Sequence, residues 1–501
     1  MFVFDIIGGG KRIEELEKSI AVLPFLNDSP DEENTYFING IMDEVLINLQ
    51  TMKDLRVLSR SSIEQYRDPS RPTSPEIAKK LDVNYIVEGC GQKYGNTFRL
   101  RIQLIEAAKD RHLWGEVYEQ KIEGVEDIFR IQSQVAEAIA NELKAIITPE
   151  EEQLIEKTPT TNLTAYDFFQ RGKEDLWEFW MDNNNREALE RAEDLYHEAL
   201  EYDSTFAQAY TGLAWVYYNK HYWETILSED FLDSVLVLAD IALSYDDQLS
   251  EAYTIRGRYY REMEKTEQAI NEFDKAIKLN PNDWMAYWGK GQAYSGIDKV
   301  KTIENLLKTI SLYRGSLLPG LLRYIDGFYR DVGFMEKAKN YAEETFKLDK
   351  DSIRYYQALA DIEYCSENFE DAIKYLGKAY ALDTNNTGTH RAFGEFYMMT
   401  GNYERTLEHL KKWLERSKSL SEGYLFGMHR VGWAYWQNGY KEQGEYYFNV
   451  QIDYCNRMKD LGRVYGENAR IYYDLAGVYA FMGEKEKAYE NLRFSNQELP
   501  I

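Results

Sequence analysis

Three cysteines in 501 residues, Cys90, Cys365 and Cys455, lie far apart and are odd in number. A disulfide framework and a paired-cysteine zinc site are therefore not expected, and the chain is compatible with a reducing compartment. Ten prolines are too few for a proline-rich linker chain. No apolar run reaches the ~20 residues that a membrane-spanning helix needs. The opening Met1–Ile7 is apolar but short, and it runs into Gly8-Gly9-Gly10-Lys11-Arg12. Its charges follow the apolar stretch, the reverse of a signal peptide. It reads as the last turns of a membrane helix begun upstream, or as no anchor.

Catalytic patterns are missing too. The six histidines, His112, His197, His221, His390, His409 and His429, contain no H-x-x-x-H pair, so a zincin site is not expected. Gly8–Gly10 lacks the Lys-Ser/Thr ending of a phosphate loop, and no G-x-S-x-G elbow occurs. With 85 acidic against 59 basic residues the net charge is −26. Carboxylate pairs at helical spacing therefore read as solvated faces. The same charge opposes nonspecific attachment to nucleic acid or anionic membrane. No enzyme, metal or cofactor is expected.

Aromatics, by contrast, are plentiful: forty tyrosines and ten tryptophans. In stacked helices such rings fill the holes between neighbours. A chain this long exceeds a single core unless it is a solenoid that grows linearly.

Residues 13–147 read as mixed α/β. Ser19–Phe25 is a buried strand and Tyr36–Gln50 a helix with Phe37, Ile41, Val45 and Leu49 on one face. Leu55–Leu58 is a second strand. Ser74-Pro75-Glu76 opens a short helix with serine as cap, ending near Leu81. Strands follow at Tyr85–Val87, Thr97–Ile105 and His112–Tyr118, with a hairpin turn at Tyr94–Thr97. Asp127–Ile146 is an amphipathic helix. Helices are expected over one face of the sheet. Tyr36 and Phe37 are expected to staple the first helix to it, and Trp114 to make a structural strand contact. Residues 148–164 read as a charged, partly helical linker.

From residue 165 the chain repeats. Ala252-Tyr253-x-x-x-Gly257-x-x-Tyr260 recurs as Ala286-Tyr287-x-x-x-Gly291-x-x-Tyr294, thirty-four residues later. Ala269, Phe273, Ala276 and Pro281 lie between. The pattern is that of a tetratricopeptide (TPR) unit, a helical hairpin that stacks on its neighbours. Extending the frame both ways gives about nine hairpins over 165–501. The inter-helix loops of the first two are long and placed to fold over the groove mouth. The fold class is thus an α+β module followed by an all-α TPR superhelix.

The α/β segment resembles the TolB amino-terminal-like domain. The resemblance rests on Ser19–Phe25, Tyr36-Phe37, Gly40, Leu55–Arg60, Val87-Glu88-Gly89, Arg99–Ile105, His112–Trp114 and Asp127–Gln132. It implies a domain often followed by TPR repeats and joined to a DNA-binding helix-turn-helix or an adenylate cyclase. The combination looks most like the sensor half of Bacteroidetes regulators of the AraC or winged-helix type. This chain shows neither output domain, so DNA binding and cyclase activity do not carry over.

In a TPR hairpin the first helix lines the inner groove. Its inward positions give Thr211, Trp215 and Tyr218, then Glu251, Arg258 and Arg261, then Trp288 and Gln292. Later units give Gln357 and Asp361, Arg391 and Glu395, and His429, Trp433 and Trp436. Tryptophan and arginine dominate, as at binding hot spots. The expectation is a non-enzymatic sensor or scaffold that holds a peptide, protein or small ligand there, with a homodimer open. The alternative is a free-standing envelope adaptor. The resemblance implies the periplasmic side of a membrane-anchored parent, whereas the chain's own start points to the cytoplasm.

Overall fold

Ser19–Val22 forms β1, with every residue buried. A strand covered on both faces shows no alternation, hence its unbroken apolar run. It pairs in parallel with β3 (Arg56–Val57) and β4 (Tyr85–Tyr94). β4 pairs antiparallel with β5 (Thr97–Glu106), and β5 with β6 (Arg111–Lys121). A two-residue β2 (Leu26–Asn27) also joins β4, and the sheet order is β3-β1-β4-β5-β6. Gly95, at φ +56°, makes the tight turn from β4 to β5.

Along β5, Phe98, Leu100, Ile102 and Leu104 are buried, while Arg99 and Arg101 between them are exposed. Helix α1 (Thr35–Gln50) and helix α4 (Val125–Glu142) cover the apolar side. Phe37 meets Phe98 edge-on at 5.3 Å, so it does staple α1 to the sheet. Ile38, Ile41, Val45 and Leu49 are fully buried, and each such side chain contributes roughly 1.5–3 kcal/mol. Trp114 stands opposite Leu104 and packs on the core as a structural contact.

A short α2 (Arg60–Ile63), not expected from the sequence, follows β3. Helix α3 spans Ser74–Leu81, but its cap is Thr73, not Ser74. The Glu76 carboxylate accepts from the Thr73 amide at 3.0 Å and its hydroxyl at 2.9 Å. That capping box moves the start one residue upstream. The segment expected as a partly helical linker contains α5 (Pro149–Ile155). Ile155 is buried, and its carbonyl accepts from the Ser133 hydroxyl at 2.6 Å.

Helices then follow in nine consecutive pairs among the described residues. They are α6 (Leu163–Met181) with α7 (Arg186–Tyr202), α8 (Ala207–Trp223) with α9 (Phe231–Tyr245), and α10 (Ser250–Glu262) with α11 (Thr266–Leu279). Next come α12 (Trp284–Tyr294) with α13 (Lys299–Leu312), α14 (Leu318–Asp331) with α15 (Met335–Asp349), and α16 (Ser352–Cys365) with α17 (Phe369–Leu382). The last are α18 (Thr387–Met399) with α19 (Tyr403–Ser417), α20 (Met428–Gln437) with α21 (Lys441–Asp460), and α22 (Arg470–Phe481) with α23 (Lys485–Glu498).

Glycines on the first helices make room for rings. A Cβ on Gly257 would lie 2.8 Å from the Phe273 ring, and one on Gly289 would lie 2.4 Å from it. The aromatic of one second helix thus fills the space left by glycines of two successive first helices. Tyr196 sits between Gly172 and Gly212 in the same way.

The computed structural model describes residues 16–29, 31, 34–68, 70–181, 185–223, 231–417, 427–460 and 470–498. The expectations for Met1–Ile7, for Gly8–Gly10 and for the loops at 182–184 and 224–230 lie outside these residues. The chain forms two compact units. Unit 1 is Met1–Gly212 with Lys278–Asp283 and Leu312–Gly315, and unit 2 is the rest.

Unit 1 buries charge. Arg60 of α2 pairs with Asp43 of α1 at 2.5 Å and with Glu174 of α6 at 2.8 Å, and its guanidinium lies 4.7 Å from the Trp177 ring centroid. Lys173 reaches Asp43 at 3.5 Å and Glu44 at 3.4 Å. Burial raises the Glu44 carboxyl against the pull of Lys173. Tyr36 donates to Asp167 of α6 and so ties α1 to a helix, where a tie to the sheet had been expected. Asn282, 1 % exposed, accepts from the Val57 amide at 3.0 Å and donates to the Gln50 and Leu55 carbonyls at 2.9 and 3.1 Å.

Candidate functional site

Residues on the first helices of unit 2 gather in two places. The first gathering joins α8, α10 and α12. Trp215 and Tyr218 stand one turn apart on α8, with ring centroids at 6.0 Å in an edge-to-face arrangement. Arg258 of α10 lies over both, 5.2 Å from the Trp215 centroid and 5.6 Å from that of Tyr218. Arg261, one turn further, donates to the Gln292 side-chain oxygen at 2.7 Å and to the Tyr218 hydroxyl at 3.2 Å. It also pairs with Glu262, which accepts from that hydroxyl at 3.1 Å. Five residues picked by the repeat frame, from three hairpins, thus form one connected cluster.

The second gathering is a cavity of about 340 Å³. Ala360, Asp361 and Tyr364 of α16, Leu376 of α17, and Glu395, Phe396, Met398 and Met399 of α18 line it, with Arg430 of α20 at the edge. Alanines at 360, 372 and 392 make the room. A neighbouring cavity of about 140 Å³ shares Glu395, Met398 and Arg430 and adds Arg391, Trp413, His429 and Asp474. Glu395 is the hub between them. It accepts from Arg430 at 2.7 Å and from Arg391 at 3.1 Å. Asp361 is balanced by Arg330 at 3.2 Å. The walls of the larger cavity are apolar, the charges at its rim answer one another, and the space suits an apolar side chain.

The other frame positions are engaged inside the repeats. Thr211 belongs to unit 1, is buried, and gives its hydroxyl to the Ala207 carbonyl. Trp288 packs on Tyr324 at 5.0 Å. Gln357 donates to Thr389 at 3.0 Å. Trp433 stacks on Phe481 at 4.5 Å, and Trp436 leans on Phe448 at 6.0 Å. Helical periodicity assigns a side, and a large ring on that side reaches the next repeat as readily as a ligand.

Sequence reasoning missed Arg430, Met398 and Phe396 at the cavity. Arg430 directly follows His429, so one step in the repeat frame would have found it. It also missed a histidine contact. His390 and His409 share no short motif, yet their Nδ1 atoms lie 3.0 Å apart across the α18–α19 hairpin. Burial, then the charge of His390, pulls His409 down to about 4. Among the described residues no group of three or more His, Cys, Asp or Glu side chains is placed to hold a metal ion. No described helix is long and apolar enough to cross a membrane.

Comparison with known proteins agrees with this architecture. Residues 16–137 match the family described as HilA/YgeH-like transcriptional regulator, second domain, and residues 257–297 match a TPR repeat. One stretch of the chain is thus similar to a HilA/YgeH-like regulator domain and another to a TPR repeat. It is 33 % identical over 196 residues to putative adenylate cyclase 3 of Rhizobium meliloti (strain 1021), covering 39 % of this chain and 32 % of that protein. It is 22 % identical over 173 residues to anaphase-promoting complex subunit 7 of Homo sapiens, covering 34 % of this chain and 30 % of that one. The chain thus spans about a third of the length of these curated relatives. Among solved structures, YrrB, a TPR protein with an unusual peptide-binding site, aligns at a TM-score of 0.32 and 18 % identity, covering 39 % of this chain and 96 % of that chain.

Proposed function

We propose that the chain is a non-enzymatic sensor or scaffold whose first-helix face in unit 2 binds a peptide or protein segment. The observation that carries this reading is the larger of the two adjoining cavities around Glu395, lined mainly by first-helix residues, with apolar walls and a charge-balanced rim. Such a site gains from burying an apolar anchor and asks for no reaction. The match of residues 16–137 to a regulator domain supports a place in a bacterial transcription regulator or signalling protein. The motifs shared with the TolB amino-terminal-like domain support the same placement. Ligand capture would alter the curvature of the helical array, and in a longer parent an output domain would read that change. Cyclase activity is not carried over from a relative matched over 39 % of this chain.

The test uses dodecapeptides selected from a random library on the whole chain, with affinity read by fluorescence anisotropy. Met399 is 71 % exposed, so Met399→Asp alters the cavity mouth without disturbing the core. Met399→Asp combined with Arg430→Glu is expected to weaken cavity-directed peptides about tenfold or more, as for a hot-spot loss. Unchanged affinity for every selected peptide would reject the site.

A further inference from the structure

The sheet of unit 1 ends at β3, and an edge strand leaves every second main-chain group without a partner strand. The Arg56 and Leu58 amides turn inward, to the Lys18 and Ile20 carbonyls at 3.0 Å each. Those of Val57 and Ser59 turn outward. Val57 donates to the Asn282 side-chain oxygen at 3.0 Å, and Ser59 donates to the Leu312 carbonyl at 3.1 Å. The Asn282 side-chain amide in turn donates to the Gln50 and Leu55 carbonyls. Beyond β3, the Arg314 amide donates to the Ser62 hydroxyl of α2 at 2.8 Å. Gly315 runs so close to α2 that a Cβ there would lie 2.4 Å from the Ser61 carbonyl oxygen.

These partners come from two turns of the repeat array that belong to unit 1, Lys278–Asp283 and Leu312–Gly315. Lys278 and Leu312 stand thirty-four residues apart, one repeat period. Each turn joins a second helix to the next first helix, so the two are the same turn in successive repeats. Between them the chain runs through the hairpin α12–α13, and α12 carries Trp288 and Gln292 of the proposed binding face. Covering a strand as short as β3 needs only one turn. Here each outward amide is taken by a different turn, which fixes the distance from one repeat to the next. When that distance changes, at least one turn must leave the edge. A hydrogen bond exchanged for one to water is weak in net terms. One turn can therefore be released within the roughly 5- to 150-fold range of ordinary ligand coupling.

We propose that the two turns form a clasp that reads the spacing of the α12–α13 hairpin. Peptide capture changes that spacing, pulls a turn off the β3 edge and uncovers the outward amides of Val57 and Ser59. The inference rests on the proposed peptide-binding face and names how its occupancy reaches the sheet.

The experiment uses dodecapeptides selected on the whole chain from a random library. Hydrogen–deuterium exchange of the whole chain, with and without a saturating peptide, reads the segment 55–62. Exchange there should rise severalfold on peptide addition, while first helices gain protection. Coupling is reciprocal, so a loosened clasp should favour the peptide. Asn282→Ala loosens the first turn and Gly315→Ala the second, and neither residue lies on a first helix. Each variant should bind the same peptide about fivefold or more tightly than wild type by fluorescence anisotropy. A merely structural contact would leave affinity unchanged or lower it. Bound peptide with steady exchange at 55–62 overturns the clasp and leaves the peptide-binding face standing. Faster exchange with neither folded variant binding more tightly breaks the reciprocity and overturns it as well. If both variants fold poorly, the wild-type exchange decides by itself. No binder overturns both proposals.

Discussion

Arg60 in unit 1 and Arg258 in unit 2 each lie over a tryptophan, at 4.7 Å from Trp177 and 5.2 Å from Trp215. Their surroundings are opposite. Burial works against the charge of Arg60, but Asp43 and Glu174 outweigh it and raise its pKa. All of these partners come from the chain itself. Arg258 has the rings and no carboxylate among the described residues. A buried charge answered from within fixes how α1, α2 and α6 pack. A half-buried charge left unanswered fixes no such packing.

The largest effect should come from breaking the answered site. Arg60→Leu takes the nearest cation from the buried Asp43, which keeps only Lys173 at 3.5 Å, and from Glu174, so urea unfolding of unit 1 should lose ~3–5 kcal/mol. A loss under about 1 kcal/mol would mean that water already answers these carboxylates, and the contrast with Arg258 would weaken. Apolar packing supplies the next scale. Gly289→Val puts branched carbon where a Cβ alone would meet Phe273 at 2.4 Å, and should cost ~1–3 kcal/mol by thermal or urea melting.

The histidine pair sharpens the comparison with a polar contact that works only when neutral. His409 is lowered to about 4 from an ordinary 6.5, and burial also lowers His390. Lys412, Arg405 and Arg416 add positive charge nearby, and Glu408 opposes them. With folded values below unfolded ones, the unfolded chain binds protons first. The pair's contribution is therefore complete above pH 6.5 and is lost as pH falls towards 4. Burial, then Asp361, raises Asp326 to about 6 against Arg330. That carboxyl has the opposite trend, since its contribution is lost as pH rises through about 6. The measurement is thus the difference in melting temperature between wild type and His409→Gln across pH 4–7. It should shrink or reverse on acidification, and a constant difference would contradict the neutral pair. The smallest effect belongs to Arg258→Gln, which should change stability by less than ~0.5 kcal/mol, because no partner is orphaned. A loss like that of Arg60→Leu would make Arg258 structural too.

What the sequence made legible follows from local physics. Gly257 and Gly291 recur at one repeat period with Phe273 between them, so spacing alone revealed the hairpins. Alternation along Thr97–Glu106 revealed a half-covered strand. The role of Arg60 was not legible, because Asp43 and Glu174 lie 17 and 114 residues away and no periodicity links them to it. The same holds for His390 and His409, 19 residues apart. At the site, the repeat frame found Trp215, Tyr218, Arg258, Arg261 and Gln292 because they are successive turns of successive first helices. It did not separate them from Trp288 and Trp433, whose rings meet a neighbouring repeat, or from Trp436, whose ring meets Phe448 on the second helix of its own hairpin.

The most direct test of the peptide-binding face is hydrogen–deuterium exchange of the whole chain with and without a saturating selected peptide. Added protection is expected on the first helices, at α16, α18 and α20 for an apolar anchor. Protection confined to the second helices, such as α11 and α17, or to the sheet of unit 1 would contradict the assignment of the first-helix face.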